Sequence, residues 1–569
     1  MLTLGIRYLN GWAMAAADGA RKQRAEWPPH PDRVFMALAA AWFETGEDAA
    51  EGVALEWLQG LGAPGLNASD AFRRGVDAGT RQATVYVPVN DTRVSKNAPT
   101  TPNLDKLKEA GLSLLPSLRE RRERHFPVAI PLRPIVYLVW PEADPGPHTA
   151  ALEALAAKVT NIGHSASLVQ LWLEPRAVQA RWVPTDGIAQ RRLRIPAPGR
   201  VDYLRRRCNR DAVLGFRDLE HRIRQSKGKE KKMLKAELEE RFGSIEPISL
   251  RPEPGLWQGY TERAQDSPPG LPRTVFDSRL LVFSITNGRL PLNATLRFTN
   301  AMRCTLLRDV AAFHRTGQPQ ACSGATDAPT QRNADFEYPE WLSGHRPDRS
   351  AAKQPHLAFV PLPFVGARHA DGHLLGAALL LPRDLAQTEA ARWLRPWLQR
   401  EHDPDSDRAG LPPLITIFDG QHFEVEIEQE LRDGRPQALR PETWTAVGGG
   451  ACRWASVTPV VLDRHFKGAD KWQQAAESVK TACERIGLPR PLTVELHPVS
   501  KHRGVPRANE FAYLQRKSDG GRMHHVHAFI QFAEPVTGPI VIGAGRFRGY
   551  GFCKPLNHCG HRGGEAVNG

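Results

Sequence analysis

Residues Gly538–Pro555 have the sequence GPIVIGAGRFRGYGFCKP, a β-branched run followed by spaced glycines, arginines and aromatics. The spaced small residues and the cations are Gly543, Gly545, Gly549, Gly551, Arg546 and Arg548. Because glycine has no Cβ and tolerates positive φ, such a loop can bring backbone NH groups close to a ligand. Arginine adds bidentate phosphate contact, and aromatic rings offer surfaces on which bases stack. The segment predicts a loop that binds a phosphate-rich polymer.

The glycine spacing differs from two common phosphate-binding motifs. No Gly-Lys-Ser/Thr follows, as it would in a P-loop, and the dinucleotide fingerprint Gly-x-Gly-x-x-Gly is missed by one residue. The alternative interpretation is a tight hairpin in which the glycines serve only the turn.

Length and charge narrow the class of protein. A chain of 569 residues is too long for one compact core, so two to four domains are expected. Lysine and arginine number 76 against 62 acidic residues, a net charge of +14, which favours a polyanionic partner. A basic surface can also serve only solvation.

The cysteines and the hydropathy pattern indicate a compartment. Seven cysteines occur without a Cys-x-x-Cys pair, which is typical of a reducing cytoplasm. The tail holds Cys553, His558, Cys559 and His561, but not at the spacing of a zinc site, so no metal or other cofactor is expected. No apolar run approaches the length of a membrane span, and we expect a cytoplasmic protein without a membrane partner.

The first part of the chain, residues 1–203, alternates predicted strands and helices. A strand at 2–9 precedes a proline-rich entry, and an amphipathic helix follows from Asp32 with Val34 and Leu38 on its apolar face. Arg33, in the first turn of that helix, is a candidate for RNA contact. This pattern predicts one or two ferredoxin-like units, with the order βαββαβ.

Composition changes at residue 204 and the strand–helix pattern returns at residue 273. Residues 204–242 are dominated by charge, so residues 204–272 are predicted to form a charged helical insertion or linker. Residues 273–569 again alternate strands and helices and end in the glycine-rich loop. The predicted fold class is therefore α+β, with tandem ferredoxin-like domains and a helical insertion.

Five segments together resemble a known family. They are EWPPHPDRVFMALAAAW at 26–42, IGHSASLV at 162–169, HLAFVPLPF at 356–364, WASVTPVVLDR at 454–464 and GPIVIGAGRFRGYGF at 538–552. In this order they resemble the repeat-associated RNA-binding (RAMP) proteins of CRISPR systems. The chain is most similar to the type I-U (also called I-G) subunit, which fuses a Cas-five-type binder of the crRNA 5′ handle to a Cas-six-type crRNA endoribonuclease.

The resemblance implies a function for each part. Residues 1–203 would hold the 5′ handle, and residues 273–569 would cleave precursor crRNA within the repeat and retain its 3′ hairpin. The implied partners are crRNA, the backbone and large subunits of the surveillance (Cascade) complex and, indirectly, target DNA. A structural RNA-binding subunit without cleavage is one alternative, and a basic DNA-binding or scaffold protein unrelated to CRISPR is another.

Metal-independent RNA cleavage needs a proton acceptor, a proton donor and cations near the phosphate. Histidine suits the proton steps, because its pKa lies near neutrality. His345 and His356 flank a basic loop and His314 ends a predicted helix, so these three are the catalytic candidates. The resemblance does not fix which is the general base. His525 and His527 share one strand face before the glycine loop and are predicted to contact RNA.

Overall fold

Two compact units make up the chain. The computed structural model describes residues 1–17, 24–73, 84–88, 105, 121–208, 210–243, 255–263, 270–316, 336–398, 412–432, 435–516 and 520–556. One unit comprises Met1–Thr185 with Ala189–Arg263, and the other comprises Asp186–Ile188 with Ala264–Gly569. Both contain helices and antiparallel sheets, which confirms the α+β class. No helix in the described ranges is both long and apolar enough to span a membrane.

The first unit is built from short strands and six described helices. Its strands are β1 (Leu2–Tyr8), β2 (Ala13–Met14), β3 (Gly65–Ala68), β4 (Ala71–Arg73), β5 (Thr84–Pro88), β6 (Arg121–His125), β7 (Val128–Pro131), β8 (Ile135–Trp140), β9 (Val169–Leu173), β10 (Trp182–Thr185), β11 (Arg191–Ile195) and β12 (Leu256–Glu262). Its helices are α1 (Pro31–Glu44), α2 (Ala49–Gly60), α3 (Thr149–Lys158), α4 (Arg200–Arg207), α5 (Arg210–Gln225) and α6 (Gly228–Phe242).

The main sheet of this unit has the order β11-β12-β10-β3-β8-β1-β9. Strand β1 pairs antiparallel with β8, Leu2 facing Trp140, and with β9 on its other side. In chain order β1, α1, β3, β8, α3 and β9 form the series βαββαβ, and their strands lie as β9-β1-β8-β3. This arrangement supports the prediction of a ferredoxin-like unit. The predicted apolar face of α1 is buried, with Val34 and Leu38 in the core.

The charged segment at 204–242 is helical and lies within the first compact unit. Helices α5 and α6 pack against each other, and the rings of Phe216 and Phe242 meet edge to face with centroids 5.4 Å apart. Leu219 and Leu234 are also buried, so few apolar residues suffice to join two otherwise solvated helices. Residues 244–254 and 264–269 of the predicted insertion or linker lie outside the described residues.

The second unit follows the same alternation. Its strands are β13 (Leu281–Ile285), β14 (Ala358–Pro363), β15 (Leu374–Leu380), β16 (Ile415–Phe418), β17 (Glu424–Gln429), β18 (Ala451–Ser456), β19 (Val460–Val461), β20 (Thr493–His497), β21 (His525–Val536) and β22 (Cys553–Pro555). Its helices are α7 (Thr295–Thr316), α8 (Glu340–Ser343), α9 (Gln387–Leu398), α10 (Glu442–Thr445) and α11 (Lys471–Arg485).

Two sheets of the second unit repeat one strand order. The first lies as β14-β15-β13-β17-β16, and its series β13, α7, β14, β15, α9, β17 matches that of the first unit, with β16 inserted before the last strand. The second lies as β20-β21-β18-β22, with β19 also pairing β21, and its series is β18, α11, β20, β21, β22. Between β21 and β22 the chain makes the glycine-rich loop, where the other two series have a second helix. The loop therefore replaces a crossover helix.

A buried carboxylate joins the start of α1 to the rest of the first unit. Glu26 accepts hydrogen bonds from Arg33 at Nε and Nη2, both 2.8 Å, and lies 3.5 Å from Arg194 Nη2. Arg194 Nε also donates to His30 Nδ1 at 3.0 Å. Burial alone would raise the pKa of Glu26, but His30, Arg33 and Arg194 together lower it far below its usual range. The carboxylate is therefore charged and holds the two arginines in place.

We expect Glu26→Gln to destabilise the first unit by about 2–4 kcal/mol, because it leaves two partly buried guanidinium groups without a countercharge. Glu56→Gln is the matched control, since Glu56 forms an exposed pair with Arg205 whose loss should cost less than about 1 kcal/mol. Urea denaturation of the full chain, followed by circular dichroism, measures both changes. Equal stability of the two variants would contradict the structural role assigned to Glu26.

Candidate nucleic-acid interface

The glycine-rich loop is a hairpin with a 3₁₀ turn at its tip. Val541 and Phe552 form an antiparallel bridge at its base, and Arg546–Arg548 form the 3₁₀ turn. The amide of Ala544 donates to Val461 O at 2.9 Å, and that of Gly551 donates to Pro459 O at 2.8 Å. The loop is therefore held against the strand β19 region by its own backbone.

The glycines of this loop serve close packing inside the protein. Gly543, Gly549 and Gly551 have φ of +87°, +82° and +70°, whereas Gly545 has negative φ. A Cβ on Gly551 would stand 1.8 Å from Ile542 O, and one on Gly549 would stand 2.8 Å from Thr295 Cγ2. This finding supports the alternative interpretation for the glycines themselves, a tight hairpin in which they serve the turn, and the predicted RNA contact of Arg546 and Arg548 stays a prediction.

The turn carries two arginines and a phenylalanine that lies against His356. The rings of Phe547 and His356 are stacked, with centroids 3.5 Å apart and planes at 24°. Arg546 is half-buried and its guanidinium lies 4.5 Å from the Phe547 ring centre, whereas Arg548 is exposed. Thr299 of α7 donates to Arg548 O at 3.0 Å, which fixes the turn on that helix.

A single carbonyl oxygen brings a second histidine and a third arginine to the same place. Ser343 O, at the end of α8, accepts from Arg303 Nη2 at 2.5 Å and lies 3.1 Å from His345 Nδ1. Because a carbonyl only accepts, Nδ1 of His345 must carry the proton, and the lone pair is left on Nε2. His345 is exposed, so this nitrogen can accept a proton from a ligand.

We call these residues, His345, His356, Arg303, Arg546 and Arg548, the histidine–arginine cluster. Burial lowers the pKa of His356 to about 4, and the charges of Arg546 and Arg303 act in the same direction. Burial also lowers the pKa of Arg303, to which Arg548 contributes, and that of Arg546, to which Arg485 contributes. Arg303 and His356 thus each lie beside other cations that disfavour their charged forms. An anion would stabilise those charged forms, so the cluster is suited to a phosphate.

A small cavity lies next to the cluster. Its volume is about 70 Å³, and its lining includes Gly543, Ala544, Arg546, Arg485 and Asp463. Arg485 lies 3.9 Å from Asp463, whereas Arg546 has only the distant Gly543 O at 3.4 Å as a hydrogen-bond acceptor among the contacts of the described residues. The guanidinium of Arg546 therefore keeps donors for a ligand.

The third catalytic candidate, His314, lies elsewhere. It is 11 residues beyond Arg303 in α7, about 16 Å by helical rise. Its ring packs on Trp393 with centroids 4.4 Å apart, and burial followed by Arg392 lowers its pKa. His314 thus belongs to the contact between α7 and α9, and the structure does not bring it to the histidine–arginine cluster.

His525 and His527 are buried in the last sheet. His527 Nε2 donates to Pro506 O and its Nδ1 accepts from Ser456 Oγ, both at 3.1 Å, so both ring nitrogens are bonded within the protein. His525 stacks on Tyr513 with centroids 4.7 Å apart. Burial lowers the pKa of each to about 4. Their predicted RNA contact stays a prediction, and in this structure both rings serve the core.

The predicted contact of Arg33 with RNA also stays a prediction. Its guanidinium donates to both oxygens of Glu26 and to Ala16 O at 3.0 Å, and its side chain is 25% exposed. Most of its donors therefore stabilise the proline-rich entry to α1. Among the described residues no group of three or more potential metal ligands occurs, and His558, Cys559 and His561 of the tail lie outside them.

Three residues of this site, Arg303, Ser343 and Phe547, are not singled out by the sequence analysis. The spacing of Arg303 along α7 places it among polar helix positions, and nothing local marks it as different from Arg308. Ser343 acts through its backbone, which leaves no trace in a side-chain pattern. Phe547 is one of several aromatics in the loop, although its position between two arginines is a signal that could have distinguished it.

One family model matches the chain. It describes a CRISPR-associated protein of the GSU0054 family, and it covers residues 12–216 and 426–555. None of the curated proteins matches. The match agrees with the predicted resemblance at the level of CRISPR association, and the subtype and the fusion of two activities stay predictions.

We expect Gly551→Ala to destabilise the second unit by about 3 kcal/mol or more, because positive φ strain adds to a clash with the Ile542 carbonyl. Gly468→Ala is the matched control. Gly468 has φ of +92° but no neighbouring atom within 4 Å of the position that a Cβ would take, so it should cost only about 1 kcal/mol. Thermal and urea denaturation compare the two. A smaller loss for Gly551→Ala than for Gly468→Ala would contradict the close packing described.

The buried histidines predict a loss of stability in acid. The folded-state pKa of His527 is about 4 and lies below its unfolded value of 6.5, so unfolding takes up a proton between these pH values. The contribution of His527 to the free energy of unfolding is therefore fully present above about pH 6.5 and is lost progressively as the pH falls towards 4. In urea denaturation at several pH values, the free energy of unfolding should depend less steeply on pH in His527→Gln, by the equivalent of about one proton. An unchanged slope would show that His527 is not the titrating group.

Proposed function

The chain belongs to the GSU0054 family of CRISPR-associated proteins, and from that premise we propose that it binds and cleaves CRISPR repeat RNA without a metal ion. In this proposal the second unit cuts precursor crRNA and retains the 3′ hairpin. The first unit holds the 5′ handle, and the backbone and large subunits of a type I-G surveillance complex are the other partners, with target DNA reached through the crRNA.

The observation that carries the proposal is the histidine–arginine cluster. An accessible histidine nitrogen, His345 Nε2, is oriented by the same carbonyl that orients Arg303. When a ribose 2′-OH attacks the adjacent phosphate, the reaction requires a proton acceptor and a nearby cation. The cluster holds both at one point. The net charge of +14 supports a polyanionic substrate.

We assign the role of general base to His345. Its Nε2 takes the proton of the 2′-OH, and the 2′-oxygen attacks the adjacent phosphorus. The P–O5′ bond then breaks, so the products are a 2′,3′-cyclic phosphate and a 5′-hydroxyl. Arg303 and Arg546 stabilise the negative charge that builds up on the phosphate oxygens.

His356 has a different role in this mechanism. With a pKa of about 4 it carries no proton at neutral pH, so it is not the acid that protonates the departing 5′-oxygen, which takes its proton from solvent. Its stacking on Phe547 instead fixes the turn that carries Arg546 and Arg548. His356 is therefore a positioning residue, and its loss should weaken RNA binding as well as cleavage.

Replacement of the proposed base should separate cleavage from binding. We expect His345→Ala to slow cleavage of a labelled cognate repeat RNA in EDTA by roughly 100-fold or more, the usual contribution of a general base. Its affinity for the RNA should stay within about twofold, because the arginines that contact phosphate are unchanged. His356→Ala should lose affinity as well, since the arginine turn is no longer fixed.

His422→Ala is the control, because His422 is exposed and bonds to Asp419 in the hairpin between β16 and β17. His314→Ala, run in parallel, should cleave like the control if its role is limited to packing. Full cleavage by His345→Ala would exclude it as the base. Tight binding of the repeat with no cleavage by the wild type would instead identify a structural RNA-binding subunit of the same complex.

A further inference from the structure

A cleft of about 720 Å³ opens in the second unit, away from the histidine–arginine cluster. Its polar lining comes from the start of α7, from the segment before β21 and from the residues next to that strand. The residues that matter here are Asn293, Arg297, Asn509, Tyr513, Gln515 and Arg522. Clefts of roughly 300–1,000 Å³ are typical of sites that bury a small molecule.

The chemistry of this lining matches a nucleotide. Arg297 and Arg522 are exposed cations, and the guanidinium of Arg522 lies 5.4 Å from the ring centre of Tyr513. Glu510 also lines the cleft, and its carboxylate accepts a hydrogen bond from the Arg507 amide at 2.9 Å, so the lining holds two arginines and one acidic residue. The amide side chains of Asn293, Asn509 and Gln515 can donate to and accept from a base edge, and the two arginines suit a phosphate.

The floor of the cleft is joined to the glycine-rich loop. Tyr513 stacks on His525, which is 6% exposed and lies 5.2 Å from the ring centre of Tyr550. Tyr550 itself belongs to the loop and donates from its hydroxyl to Ala512 O at 2.6 Å. A buried neutral histidine between two tyrosines gives the cleft a rigid aromatic wall.

One turn of α7 separates the cleft from the arginines of the loop. Thr295 and Thr299 contact Gly549 and Arg548, whereas Arg297, between them in sequence, lines the cleft. A helix with its side chains is about 10–12 Å across, so Arg297 and Arg548 lie on two sides of one narrow ridge. A single RNA strand that contacts Arg548 can therefore continue into the cleft.

We propose that this cleft binds an unpaired nucleotide of the repeat RNA, next to the part held by the glycine-rich loop. The inference rests on the proposed RNA-binding function and adds a second, separate contact to it. Arg297 and Arg522 bind the phosphate, and the three amide side chains face the base. Unpaired nucleotides are the natural ligand, because their base edges are free for such contacts.

Binding of three forms of the cognate repeat hairpin tests the inference. The hairpin carries no overhang, a short 5′ overhang or a short 3′ overhang, with 2′-deoxyribose at the cleavage position to prevent turnover. We expect wild type to bind one overhang form at least tenfold more tightly than the hairpin alone, and the preferred form identifies the end that enters the cleft. Arg297→Gln with Arg522→Gln should abolish this gain in affinity. The slope of the logarithm of the binding constant against the logarithm of salt concentration should also become less steep, by about 0.7 for each lost phosphate contact.

Arg308→Gln with Arg383→Gln is the charge-matched control, since both arginines are exposed, lie in the same unit and are absent from the cleft. The control should keep the full preference for the overhang. Overhang preference retained in Arg297→Gln with Arg522→Gln overturns the inference, as does an equal loss of affinity for all three RNAs. Wild type that binds the hairpin but not its overhang also overturns it, whereas wild type that binds no form overturns the proposed function itself.

Discussion

The close packing of the glycine-rich loop against its neighbours determines where its two arginines, Arg546 and Arg548, lie in the second unit. Gly551 leaves room for the Ile542 carbonyl, and Gly549 lets the turn rest on Thr295 of α7. Without these contacts Arg546 and Arg548 would sit on a mobile segment with no fixed relation to Arg303. The loop replaces a crossover helix, and its hydrogen bonds to Val461 and Pro459 provide the order that a helix would otherwise supply.

Two histidines of the second unit have pKa values well below the ordinary value of histidine. His356 and His527 have pKa values of about 4, since burial penalises their charged form. His356 therefore stacks on Phe547 like an aromatic residue, whereas His527 hydrogen-bonds to a serine hydroxyl and to a backbone carbonyl. His345 differs because its ring is exposed while one nitrogen is anchored. In the proposed reaction, proton transfer therefore falls to His345 and not to His356.

Much of the fold could be predicted from the sequence, whereas the arrangement of the candidate site depends on contacts between residues that are distant in the chain. The apolar face of α1 follows from helical periodicity, and the glycine-rich loop follows from local spacing. The pairing of Arg303 with His345 does not, because it passes through a backbone carbonyl 40 residues further along the chain. Likewise, the position of His314 at a helix end is predictable, but its packing on Trp393 depends on a helix that begins far downstream. Arg33 is a further example, because its position near a loop predicts contact with RNA, whereas its charge is paired with the buried carboxylate of Glu26.

In the proposed cleavage reaction, the shared carbonyl of Ser343 has a consequence for discrimination between RNAs. Because Arg303 and His345 are attached to the same oxygen, the separation of cation and proton acceptor is set before any RNA arrives and does not vary with its sequence. A substrate that strains the end of α8 displaces both groups at once. Under the proposed mechanism, an ill-fitting strand would then lose charge stabilisation and proton transfer in a single step, and small errors of fit would be amplified into a large difference in cleavage rate.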